Sequence, residues 1–180
     1  MRILLASLGF VDALNDRLGR ILSYAVLMMF VLVLMEVIRR YVFNSPTVWG
    51  QELTQLTFGV YVILSGGHIM RWGGHVNVDI LYTKFDRKTK AFVDIFTSIL
   101  FFLFCGMLLI YGGFLAWDSM AYWERSISAW GPPLWIFKLM IPVGALLLLL
   151  QGIAKLIRDI LTLATGIPYS PDDTSERESV

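Results

Sequence analysis

The chain has 180 residues, of which 57% are hydrophobic and 16% charged, and its formal net charge is +1. A soluble globule carries roughly 25% charged residues, so this composition points to a multi-pass membrane protein. It excludes intrinsic disorder, which needs low hydrophobicity and high net charge, and it offers no basic field for nucleic acid. The single cysteine, Cys105, excludes an intramolecular disulfide, and two histidines, His68 and His75, are too few for a histidine-rich metal centre. At about 20 residues per crossing, the length holds four transmembrane helices with short loops and no separate catalytic domain.

The start does not read as a clean secretory signal. Arg2 precedes a short apolar run, but Asp12, Asn15, Asp16 and Arg17 follow it and no small-residue cleavage pattern closes it. Leu4, Leu8, Val11, Leu14 and Leu18 recur at helical spacing with Ser7, Asp12, Asn15 and Asp16 elsewhere on the wheel. This predicts an amphipathic helix lying on the membrane surface. The first span is expected over residues 21–38, with Glu36 near its end and Arg39 and Arg40 stopping it. Glu36 and Arg40 are four apart and can pair on one helix face. Asn44-Ser45-Pro46 signals a turn, and Trp49 and Glu52 then stand at the entry to the second span, where a carboxylate suits a helix N-terminus. This loop suits either a shaped contact surface for a partner chain or plain interfacial anchoring.

The second span, residues 53–70, carries a polar stripe of Thr54, Thr57, Tyr61, Ser65 and His68, with Gly59, Gly66 and Gly67 beside it. Such a stripe faces protein or a water-filled cavity rather than lipid, and hydrogen bonding between helices accounts for it better than a substrate path. His68 and His75 are too close along one helix to clamp a haem iron from two sides, and no cofactor is expected. Residues 84–90 hold a basic cluster suited to anionic headgroups, although simple topology accounts for it. The third span is expected over 91–117. The fourth, over 134–154, starts after Pro132-Pro133, contains Pro142, and continues as an amphipathic helix to about residue 163. A single transmembrane domain thus covers residues 1–165, followed by a polar tail over 166–180. Of the fifteen lysines and arginines, Arg39, Arg40, Arg125 and Lys138 fall on one side and the rest on the other. The positive-inside rule makes both termini cytoplasmic. All six tryptophans fall at span ends or in loops, as indole rings at headgroup level do.

The residues together resemble the small membrane subunit, the DctQ-like subunit, of tripartite ATP-independent periplasmic (TRAP) transporters. The matching features are the Arg39-Arg40-Tyr41-x-Phe43-Asn44-x-Pro46-x-x-Trp49-x-x-Glu52 loop, the Gly74-His75-Val76-x-Val78-Asp79 segment, and the Ser126-x-Ser128 and Pro133-x-Trp135 entry to the fourth span. The resemblance covers about residues 20–160. It implies an all-α protein of the bacterial inner membrane that is not an enzyme. Its partners would be a large membrane subunit, which holds the substrate and sodium sites, a periplasmic binding protein that delivers an organic carboxylate, and membrane lipids. It also implies that Arg39, Arg40, Trp49, Glu52, His75, Asp79 and Trp135 are structural or partner-contact residues. Two rivals remain: a membrane anchor of a respiratory oxidoreductase, and a small homo-oligomeric exporter whose essential carboxylate would be Glu36 or Asp94.

Overall fold

The computed structural model describes residues 2–72 and 87–165, with side chains from 7 to 72 and 97 to 164. Four long helices make up the described residues: α1 (Arg2–Tyr41), α2 (Gly50–Arg71), α3 (Arg87–Ala121) and α4 (Leu134–Thr165). All four contain stretches long and apolar enough to cross a membrane. At ~1.5 Å per residue, α2 is about 33 Å long and just spans a ~30 Å hydrocarbon layer. The other three, at 40, 35 and 32 residues, overshoot it and extend beyond or tilt.

Each break has a local cause. After α1, Asn44 adopts left-handed φ (48°) ahead of Pro46, a conformation that asparagine tolerates better than most residues. After α3, Trp123 is left-handed (φ 48°), which ends the helix within two residues. Pro132 and Pro133 precede α4, where the first amide protons need no helical partner. The helix runs on through Pro142 without interruption.

The helices form an open row, α1–α2–α4–α3, rather than a closed bundle. α4 packs on both α3 and α2, α2 packs on α1, and α1 meets α4 only over a short contact. Most apolar surface therefore stays outside the chain: only 11% of the apolar window of α1 is buried, which leaves lipid or another protein to cover it. Close crossings rely on glycine, as in other membrane helices. Gly67 lies against Asn15, Gly66 against Leu148, Gly112 against Ile141, Gly144 against Ile63 and Gly152 against Phe101. Gly59, Gly106 and Gly113, by contrast, have open space where a Cβ would stand.

The first segment differs from expectation. It is helical, but it is one piece with the first span, and its polar side turns inward. Asp12 and Asn15 are 3% and 0% exposed, so they face protein and not water. The physical reason is that α2 and α4 supply polar partners for them, which lets the helix run on without a break at Arg20. His75, Asp79 and the polar tail lie outside the described residues.

The crossing of α2 and α4 provides a test. A Cβ on Gly144 would stand 2.8 Å from the carbonyl oxygen of Ile63, a backbone atom that cannot move aside cheaply. Gly144→Ala should lower stability in mild detergent by about 1–3 kcal/mol. Gly113→Ala, in the same kind of helix but facing open space, should be close to neutral. Thermal unfolding of the two variants compares them directly.

Candidate functional site

The polar residues gather at the two ends of the helix row. Asp16 and Glu36 are twenty residues apart on α1, which at ~1.5 Å per residue is about 30 Å, the thickness of the hydrocarbon layer. The charged groups thus bracket the apolar stretch.

The first cluster joins α1, α2 and α4. Asp12, Asn15 and Asp16 project from one side of α1, since residues three and four apart share a face. The Asp12 carboxylate accepts hydrogen bonds from Gln151 Nε2 at 2.9 Å and from Arg158 Nη2. Asn15 Nδ2 donates to Gln151 Oε1 at 2.8 Å. From α2, Arg71 pairs with Asp16 and donates to the Asp12 backbone carbonyl at 3.0 Å. His68 Nδ1 lies 3.3 Å from Asp16 Oδ1, and Trp72 Nε1 donates to the same oxygen at 3.3 Å. Asp12, Asn15, Gln151 and Arg158 are all buried. Burying such groups is costly, and it is tolerated only when each charge is paired and hydrogen-bonded. Two carboxylates, Asp12 and Asp16, stand opposite two guanidiniums, Arg71 and Arg158, so the cluster balances without His68. It also fixes register: sliding α1 by one residue would rotate Asp12 by about 100° away from both Gln151 and Arg158.

The second cluster organises the opposite end. Glu36, at 9% exposure, accepts from Arg40 Nη2 at 3.1 Å, from the Thr47 amide at 3.2 Å and from the Thr47 hydroxyl. The Thr47 hydroxyl in turn accepts from the Gly50 amide at 3.1 Å, satisfying a free donor at the start of α2. Arg39 Nε donates to the Ser45 carbonyl at 3.2 Å and holds the turn from outside. A groove of about 310 Å³ runs between α1 and α2 beside Glu36. Glu52, in the first turn of α2, accepts from Ser128 Oγ at 2.5 Å, tying the α3–α4 loop to the α2 entry. That loop closes on itself through Ser126 N to Pro132 O (2.9 Å) and Leu134 N to Glu124 O (3.0 Å). Lys138 hydrogen-bonds Glu124 and holds its carboxyl below the usual carboxylate range. Trp135 meets Trp123 edge-on, with ring centroids 5.4 Å apart.

The structure thus brings Arg39, Arg40, Glu52 and Trp135 to one end of the row, in contacts within the chain. Trp49 is the residue before α2, half-buried, with its carbonyl accepting from Leu53 N. The expected polar stripe of α2 divides: Thr54 and Ser65 bond their own helix backbone, and His68 reaches α1. Sequence reasoning missed Asp12, Asn15, Arg71, Gln151 and Arg158 as one unit. The available signal was the spacing: Asp12, Asn15 and Asp16 on α1, His68 and Arg71 three apart, and Gln151 and Arg158 seven apart.

Residues 29–162 match the family described as "Tripartite ATP-independent periplasmic transporters, DctQ component". The chain belongs to this DctQ family. It is also 30% identical, over 165 residues, to the sialic acid TRAP transporter permease protein SiaT of Haemophilus influenzae (strain 86-028NP). That alignment covers 90% of this chain and 25% of the relative, so the chain spans about a quarter of the relative's length. The family match includes Glu36, Arg39, Arg40, Glu52, Arg71, Gln151 and Arg158, but Asp12, Asn15 and Asp16 precede it. The DctQ chain is thus a multi-pass membrane protein whose buried charged side chains Asp12, Glu36 and Arg158 are each paired.

Burial sets the expected mutational ranking. Arg158→Met leaves the Asp12 carboxylate buried with one cationic partner fewer and should destabilise by about 3–5 kcal/mol. Lys138→Met breaks a pair whose side chains are 26% and 38% exposed and should cost no more than about 1 kcal/mol. Denaturation in mild detergent, followed by tryptophan fluorescence, measures both.

Proposed function

We propose that this DctQ-family chain is the small, non-catalytic membrane subunit of a TRAP-type secondary transporter. It braces a larger membrane subunit, so that the moving, substrate-carrying part works against a fixed frame. The transport is sodium-coupled uptake of an organic carboxylate delivered by a periplasmic binding protein, across the bacterial inner membrane. Both termini and the 73–86 segment lie in the cytoplasm, which the lysine and arginine distribution favours.

The observation that carries this reading is the way the charged groups are used. At the ends of the spans they are paired, between helices at one end (Arg71 with Asp16, Arg158 with Asp12) and within α1 at the other (Arg40 with Glu36). Mutually satisfied charges rigidify a structure, which suits a frame. The open helix row supports the same reading, because it leaves apolar outer faces for a larger protein to cover. The SiaT relative, a permease about four times as long as the matched segment, supports a larger membrane component as the complement to this one.

Purification from the native host by a C-terminal tag in mild detergent tests the proposal. A much larger polytopic protein should co-purify at one-to-one stoichiometry. Recovery of the chain alone as a stable homo-oligomer would overturn it.

A further inference from the structure

The four helices do not expose the same kind of surface. From residue 99 to 115, the exposed side chains of α3 are Ile, Leu, Phe and Met, with Tyr111 the single exception. The exposed residues of α4 between 136 and 153 are Ile136, Val143, Leu146 and Ile153. These faces can meet lipid without cost.

α2 is different. Its exposed residues Gln51, Gln55, Phe58, Val62 and Ile69 recur at helical spacing and form one stripe. Gln55 stands about 7 Å along the axis from the helix start, inside a hydrocarbon layer that this 22-residue helix only just spans. An amide facing lipid there lacks hydrogen-bond partners, and polar side chains in spans turn to protein or water instead. The stripe also has room for a neighbour. One turn on from Gln55, a Cβ on Gly59 would meet nothing within 4 Å. The groove of about 310 Å³ opens on the same side, walled by Val33, Val37 and Tyr41 of α1 and by Gln51, Thr54 and Gln55 of α2. A glycine with open space beside a groove lets a second helix approach closely.

We infer that the α1–α2 groove and the Gln51–Gln55–Gly59 stripe form the seat for a transmembrane helix of the larger membrane subunit, with the outer face of α3 left to lipid. The docked helix presents a small or hydroxyl-bearing residue to the two glutamine amides and packs its backbone over Gly59. This rests on the proposed function, since it assigns that partner to one face. Polarity chooses the partner: a lipid tail cannot satisfy the Gln55 amide at its depth, whereas a helix bearing one polar side chain can.

Site-specific cross-linking in native membranes tests the assignment. A photo-reactive phenylalanine analogue is placed at Gln55 in one variant and at Phe104 on α3 in another, in the full chain expressed with its native neighbours. The Gln55 variant should give an adduct with the larger chain and the Phe104 variant only lipid adducts. The reverse pattern, or lipid adducts alone from Gln55 while the larger chain still co-purifies, would overturn the seat and leave the proposed function standing. Loss of co-purification from the unmodified chain would instead overturn the proposed function itself. As a second readout, Gly59→Phe should reduce co-purification of the larger chain roughly tenfold with the chain's own membrane level unchanged. Unchanged co-purification would count against the seat.

Discussion

The Asp12 carboxylate, buried between Gln151 and Arg158, is the constraint on which the rest of the structure depends. A carboxylate out of water must keep its partners, and here they come from α4, with Arg71 of α2 bound to the Asp12 carbonyl beside it. This one requirement holds three helices at one end and fixes the rotation of α1. It also explains why α1 runs without a break from Arg2 to Tyr41. A surface helix lying across the membrane would pull Asp12 and Asn15 away from Gln151. Net stabilisation from a buried ion pair is small, so the gain is a unique register more than a large free energy.

The opposite end solves the same problem with shorter connections. Glu36 gathers Arg40, Thr47 and, through the Thr47 hydroxyl, the amide of Gly50. The α1–α2 turn is therefore built on one carboxylate. Glu52 performs a similar task for the α3–α4 loop by accepting from Ser128. Between these ends the helices pack through glycine contacts and leave their outer faces apolar. A row pinned at both ends and smooth between them is consistent with the bracing role proposed above.

Much of this was legible in the sequence because apolar runs of bilayer length have few alternatives. The four spans, the Glu36–Arg40 pair, the Asn44–Pro46 turn and the proline start of α4 followed from spacing and local chemistry. The position of Glu52 at a helix start was also legible, but its bond to Ser128, 76 residues away, was not. The Asp12 cluster was hidden for a physical reason. A face bearing Asp12, Asn15 and Asp16 has the same periodicity whether water or buried polar groups lie opposite, and only the partner helices decide between them. The seven-residue spacing of Gln151 and Arg158 put them on one face of α4, but Arg158, in the amphipathic continuation of that helix, passes for a solvated residue.

The central claim is that Asp12 and Arg158 act as one unit joining α1 to α4. A double-mutant cycle measures this directly, using Asp12→Asn, Arg158→Gln and the double variant, with unfolding free energies in mild detergent. Coupling of roughly 1–3 kcal/mol between the two sites is expected for residues in one buried network. Additive effects, with no coupling beyond about 0.5 kcal/mol, would contradict the account and return the N-terminal segment to an independent role.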